Sequence, residues 1–316
     1  GSQTVMTVYT AKNVKIQSTL SFISFIAGFV SSLVIILIFF RIDAGFAVFG
    51  FIVNTLSLGY IIGKKEFVLS FKYTITQKIL LVVLGISFYF IFGADGIIYA
   101  LALSYASYSL IIYRVFKESK INFSLLKPRF AFIANNYALF VTAIFGKQID
   151  RLLIVPLLGY GVLGNYTLAI QLISIFHIMP AILLKYLLPH DSTNIENYKL
   201  KKYSILLSIG LFFLILFLAP LTIPHVFPKY ENVIEITQIM SITIVAGTIN
   251  AIYSSKFFGA EISKYNFIAV ICATVTIIVG IIILGPIYGI YGISIAFVLS
   301  SIAHCSCLVI CDKIPK

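Results

Sequence analysis

Long apolar runs alternate with short polar connectors along the whole chain. Ten runs have the length and composition of membrane-spanning helices: residues 20–40, 44–62, 75–92, 96–115, 131–158, 166–188, 203–223, 233–253, 266–284 and 290–310. Most come near the roughly 20 residues that cross about 30 Å of hydrocarbon. The fifth is long enough to tilt or to project beyond the bilayer, and the third has the shortest dense apolar core. The pattern predicts an all-α, polytopic membrane protein of about ten transmembrane helices.

The connectors alternate in character. Those after the third, fifth and ninth spans are short and glycine-rich: Gly93-Ala94-Asp95-Gly96, Gly159-Tyr160-Gly161 and Gly285 through Gly289. They predict tight helical hairpins. Of the 23 lysines and arginines, only Arg41, Lys147, Arg151 and Lys229 fall on that side of the spans; the rest fall on the other. Positive residues accumulate on the cytoplasmic side. The bias predicts an even number of spans, a cytoplasmic-membrane location and two cytoplasmic termini.

Composition agrees. Sixty per cent apolar residues, 11% charged residues and a mean hydropathy of +1.05 exclude an ordinary soluble domain. The net charge of +12 comes from scattered connectors rather than one basic face, so no nucleic-acid partner is expected. Tyr60, Tyr113, Tyr166, Tyr186, Tyr203, Tyr253 and Tyr265 sit near span ends, as an interfacial aromatic belt requires. No signal-peptide pattern opens the chain.

Spans three and four resemble spans nine and ten. Gly96-Ile97, Ala100, Leu103 and Ser104 align without gaps on Gly292-Ile293, Ala296, Leu299 and Ser300, 196 positions later. Shared membrane composition is one explanation, and a duplicated helix bundle is the other.

Ionisable residues inside spans are costly and mark candidate function. Lys147, Asp150 and Arg151 in the fifth span fall on one helical face, and Asn136, about three turns earlier, shares it. The stripe, with Gln148 beside it, either faces a hydrated cavity or forms a packing salt bridge near the outer interface. In a cavity, Lys147 and Arg151 would attract a phosphate, and Asp150 would hold them or couple an ion. The sixth span adds Gln171, Ser174, His177 and a kinking Pro180; the eighth adds Thr243, Gly247, Asn250 and Ser254; the second adds Asn54. These suit interhelical hydrogen bonds or cargo contacts, and His177 either carries protons or is a satisfied buried imidazole. Arg41 and Asp43 read as a surface pair at the first outer turn. Cys272, Cys305, Cys307 and Cys311 lie in or beside the last two spans with His304. They read as small apolar residues rather than a metal site, and neither metal nor cofactor is expected.

The run Gly146-Lys147-Gln148-Ile149-Asp150-Arg151-Leu152-Leu153-Ile154, with Leu158-Gly159 through Tyr166-Thr167-Leu168-Ala169, resembles a known pattern. So does the closing Gly285-Pro286-Ile287-Tyr288-Gly289-Ile290-Tyr291-Gly292. Both are similar to polysaccharide exporters of the multidrug/oligosaccharidyl-lipid/polysaccharide exporter superfamily, at the seventh helix and the last helix pair. The resemblance implies two bundles of six helices. On that plan residues 1–129 form a first bundle of four spans, lacking two N-terminal helices, and residues 130–316 form a complete second bundle.

The resemblance also implies a function. The expected activity is alternating-access flipping of a lipid-linked oligosaccharide across the cytoplasmic membrane. The cargo and membrane lipid are then the partners, with H+ or Na+ as a coupling ion, since no phosphate-binding loop is present. Lys147, Arg151, Asn136 and Gln171 are the candidate cargo contacts; Asp150 and His177 are the candidate coupling or salt-bridge groups. A multidrug or cation antiporter of the same superfamily is the alternative. An intramembrane glycosyl or acyl transferase fits less well, because the chain has neither paired acids nor large loops. An ion channel would need a filter loop, which is not recognisable. The chain is therefore expected not to be an enzyme.

Overall fold

The computed structural model describes residues 1–230 and 232–313; the side chain of Lys147 also lies outside the described residues, as does Lys316. The secondary structure of the described residues is helical, with no strand among them. In order they are α1 (Ser2–Ala11), α2 (Gln17–Phe39), α3 (Ile42–Gly63), α4 (Phe67–Phe92), α5 (Ala94–Ser104), α6 (Ser109–Glu118), α7 (Phe130–Phe176), α8 (Ile178–Asp191), α9 (Tyr198–Val226), α10 (Val233–Ser241), α11 (Thr243–Gly259) and α12 (Ser263–Lys313).

Eight helical segments are long and apolar enough to cross a membrane. Two of them are hairpins read as one helix. α7 breaks at Gly159 (φ 83°, ψ 175°) and α12 at Gly289 (φ 58°, ψ −133°). Each supplies two crossings, which brings the spans to about ten and makes the chain a multi-pass membrane protein.

The chain divides into two compact units, residues 1–134 and residues from Asn135 onward. In unit 1, α3 packs against α1, α2 and α5, and α4 pairs with α5. Around the apolar interior of unit 1, α2 and α4 turn large apolar side chains outward and bury mostly small or polar ones. In α4 the one buried residue is Gln77, while Val68, Phe71, Ile79, Val82, Val83 and Ile86 are exposed. In α2 the buried seam contains Ser24, Gly28 and Ser32, and Phe29, Leu33 and Leu37 point outward. Between lipid-bathed helices apolar side chains gain nothing by leaving lipid, so small residues that allow close approach drive packing. Gly28 illustrates this: a Cβ there would overlap the Ile52 side chain of α3.

The first residues, ahead of the first predicted span, form the buried helix α1. Its hydroxyls and small contacts explain the burial. Thr7 Oγ1 donates to the Gly59 carbonyl at 3.1 Å, and a Cβ at Gly59 or Gly63 would press on α1 backbone. Arg41 and Asp43 also differ from the expected surface pair. Asp43 is buried, and Arg41 bridges it and Asp95, each at 2.6 Å, tying the first outer turn to the second.

In unit 2 the apolar core runs through Ile154, Tyr166 and Ile173 of α7, Ile215 and Ala219 of α9, Ile236 and Met240 of α10, and Ile277, Ile281, Ile293 and Ala296 of α12. At the far end, Asp191 accepts from Lys201 Nζ at 2.9 Å and from Ser255 Oγ at 2.6 Å, fastening the α8–α9 turn to α11.

Candidate functional site

The site lies in unit 2, where the first limb of α7 runs beside α12. Gly146 makes the approach close: a Cβ there would come within 2.8 Å of Thr274 Oγ1. Beside this contact the helices part around a cavity of about 520 Å3. Gln148, Asp150, Arg151, Ser174, Thr274, Ser300 and His304 contribute its polar lining, with Ile277 and Phe297 among the apolar residues.

Asp150 is buried and fully engaged. Its Oδ2 accepts from the Tyr166 hydroxyl at 2.8 Å, and its Oδ1 accepts from the Arg151 backbone N–H at 2.7 Å. Tyr166 is held by core packing and by an edge-to-face contact with Phe297, centroids 6.4 Å apart. The Asp150–Tyr166 bond therefore pins the two limbs of the α7 hairpin across the Gly159 break. Leaving a buried carboxylate oxygen without a donor costs about 1–3 kcal/mol or more.

Arg151 has the opposite condition. It makes no salt bridge among the described residues, and its Nε is shut away without a hydrogen-bond partner. His304 Nε2, on the α12 wall, is likewise buried and unpartnered. The remaining hydroxyls are spent locally. Ser174 donates to the Gln171 carbonyl, Thr274 to the Val270 carbonyl and Ser300 to the Ala273 carbonyl, at 2.7, 2.8 and 2.8 Å. Two of the lining residues thus each keep a nitrogen that is buried and unpartnered, while the one acid among them accepts from two donors.

The expected residues are distributed unevenly. Asp150 and Arg151 line the cavity, with Gln148 beside them. Lys147 falls on the same helix, but its side chain is outside the described residues. Asn136 is buried, Gln171 is exposed, and neither lines this cavity. His177 Nε2 sits 3.1 Å from Thr243 Oγ1, and its ring fills the space over Gly247; it too lies outside this cavity. Tyr166 and His304 are the site residues that sequence reasoning passed over. The four cysteines are free thiols.

No protein-family model and no curated protein matches the sequence. Solved structures do match in fold. A MATE protein in the straight conformation superposes with a TM-score of 0.79 at 15% identity, over 98% of this chain and 80% of that one. An outward-facing multidrug resistance MATE family transporter of the MOP superfamily gives 0.76 at 17%, over 98% and 81%. The MATE transporter ClbM in complex with Rb+ gives 0.79 at 14%, over 99% and 82%. The chain therefore has the fold of the MATE transporters of the MOP superfamily.

Proposed function

We propose that this chain is a carrier of the cytoplasmic membrane, its termini in the cytoplasm, that flips a lipid-linked oligosaccharide to the outer leaflet by alternating access. The observation that carries this reading is the state of charge in the unit 2 cavity. Asp150 accepts from the Tyr166 hydroxyl and the Arg151 backbone N–H, whereas the Arg151 guanidinium makes no salt bridge among the described residues and acts on Asp150 only through its charge. A wall of that kind favours an anionic head such as a phosphate-linked sugar, because guanidinium presents paired donors to phosphate oxygens. The fold supports a carrier, and the sequence motifs favour the exporter branch.

The second reading is a cation or multidrug antiporter, which the MATE neighbours support equally. One of them was solved with Rb+. In both readings Asp150 is the natural partner for a coupling H+ or Na+, with Tyr166 as the donor it would exchange.

Reconstitution into vesicles separates the two. Fluorescent lipid-linked sugar should cross from leaflet to leaflet, and Arg151→Ala should slow it by at least about tenfold. A protein that leaves the lipid in place but exchanges an organic cation against Na+ or H+ would overturn the flippase reading.

A further inference from the structure

The two units repeat one another at an interval of 196 positions, and the repeat shows what unit 2 lacks. In unit 1, Gln77 Nε2 donates to Ser104 Oγ at 2.9 Å. Tyr108 is wholly buried, with its hydroxyl 3.5 Å from Thr74 Oγ1 and within reach of the Asn54 amide. The equivalents in unit 2 are Ala273 for Gln77, Ser300 for Ser104, His304 for Tyr108, Val270 for Thr74 and Asn250 for Asn54. Three of these exchanges remove a polar partner or shorten a side chain, and the cavity opens at Ala273, Ser300 and His304.

The consequence is two orphaned groups at equivalent places. His304 Nε2 and Asn250 Oδ1 are both buried without partners, whereas the Tyr108 hydroxyl in unit 1 reaches Thr74 Oγ1. Unit 1 closes this position with its own side chains. Unit 2 keeps Asn250 yet replaces the tyrosine and glutamine that would seal it. Arg151 Nε, unpartnered on the same cavity, supplies the charge.

We propose that His304 is a cargo-binding residue, which with Arg151 forms a subsite in unit 2 for an oxyanion carried by the cargo. Arg151 neutralises the anion and His304 donates one hydrogen bond from the α12 wall. Neither buried nitrogen faces solvent in the conformation seen, so occupation turns both side chains toward the guest. This rests on the carrier reading above and assigns the substrate's charged group to particular atoms. The oxyanion could belong to a lipid headgroup or to free phosphate, and the experiment separates these.

Purified protein in detergent is titrated with a short-chain polyprenyl phosphate, with the uncharged polyprenol of equal length, and with inorganic phosphate as competitor. Preference for the phosphate lipid is expected. Competition by inorganic phosphate makes the anion itself the ligand, and its failure to compete assigns the site to the lipid headgroup. His304→Leu should weaken binding about tenfold, and His304→Gln, which retains a donor, should stay within about threefold.

The double change Ala273→Gln with His304→Tyr guards against misfolding. It rebuilds the pair that the fold already accepts in unit 1, fills the cavity, and should abolish the preference while leaving thermal stability equal or higher. Unchanged binding in His304→Leu and in the double variant, alongside loss in Arg151→Ala, would overturn the role of His304 and leave the carrier reading intact. Equal binding of phosphate lipid and polyprenol by the wild type would overturn the oxyanion subsite itself. The vesicle assay with a cationic cargo decides the carrier reading separately.

Discussion

Gly96 of unit 1 and Gly292 of unit 2 stand in the same place in their hairpins. A Cβ on either would overlap the carbonyl at the equivalent point of the preceding helix, Phe88 in one unit and Leu284 in the other. Gly93 and Gly289, three residues earlier, both hold positive φ. Gly63 and Gly259 each let the backbone of another helix approach within 3 Å of where a Cβ would sit. The left-handed residues Lys65 and Glu261 also correspond. Backbone-level devices are thus shared, and the units part company at interior side chains. Unit 1 seals α4 against the end of α5 and the 3-10 turn that follows it with Gln77 and Tyr108; unit 2 leaves Ala273 and His304 around an opening. Close packing in lipid is indifferent to which small or polar residue fills a seam, provided donors are met. A repeat can therefore keep its scaffold while one copy gives up self-satisfaction for a binding surface.

The largest test of this kinship is steric. Gly96→Val and Gly292→Val should each cost more than about 3 kcal/mol, seen as loss of the monodisperse peak in size-exclusion chromatography. Tolerance in only one unit would break the equivalence. Next comes the polar interior. Tyr166→Phe removes the donor to Asp150 Oδ2 and should cost about 1–3 kcal/mol in thermal unfolding. Tyr108→Phe, which loses a 3.5 Å contact to Thr74 and the reach to the Asn54 amide, should cost less than that, because both partners are uncharged. A reversed order would mean that Asp150 finds another donor.

Gln77→Ala should cost about 1 kcal/mol by leaving Ser104 Oγ one partner short, without creating affinity for polyprenyl phosphate in unit 1. Binding gained there would show that an opening alone suffices, with no need for a cation. The smallest effect is at the rim. Lys64, paired with Glu118 at 2.8 Å and partly exposed, should contribute under about 1 kcal/mol on Lys64→Ala, and less in high salt.

The spans and hairpins were legible because membrane crossing imposes length and hydropathy on each segment independently. Even the repeat showed in Gly96, Ala100, Ser104 and their later counterparts. α1 was not legible: SQTVMTVYTA is too short and polar to signal a span, and its burial depends on Gly59 and Gly63 in a helix some way along the chain. Asp150 and Arg151 stood out as charges in an apolar run. Tyr166 did not, because its tie to Asp150 exists only once the chain folds back at Gly159. His304 was read with the neighbouring cysteines. Carrying the repeat a single helical turn beyond Ser300 sets His304 opposite Tyr108. That pairing gains meaning only from the burial of Tyr108, which no linear pattern announces.

Gly93 (φ 67°, ψ −149°) and Gly289 (φ 58°, ψ −133°) occupy the mirror image of extended backbone, a region essentially closed to L-residues. An amino acid of opposite chirality finds that region as comfortable as an ordinary residue finds a polyproline helix. Semisynthetic protein carrying D-alanine at either elbow should keep its shape while the unfolded chain loses freedom, so these two joints offer a route to stiffening the molecule that natural side chains cannot supply.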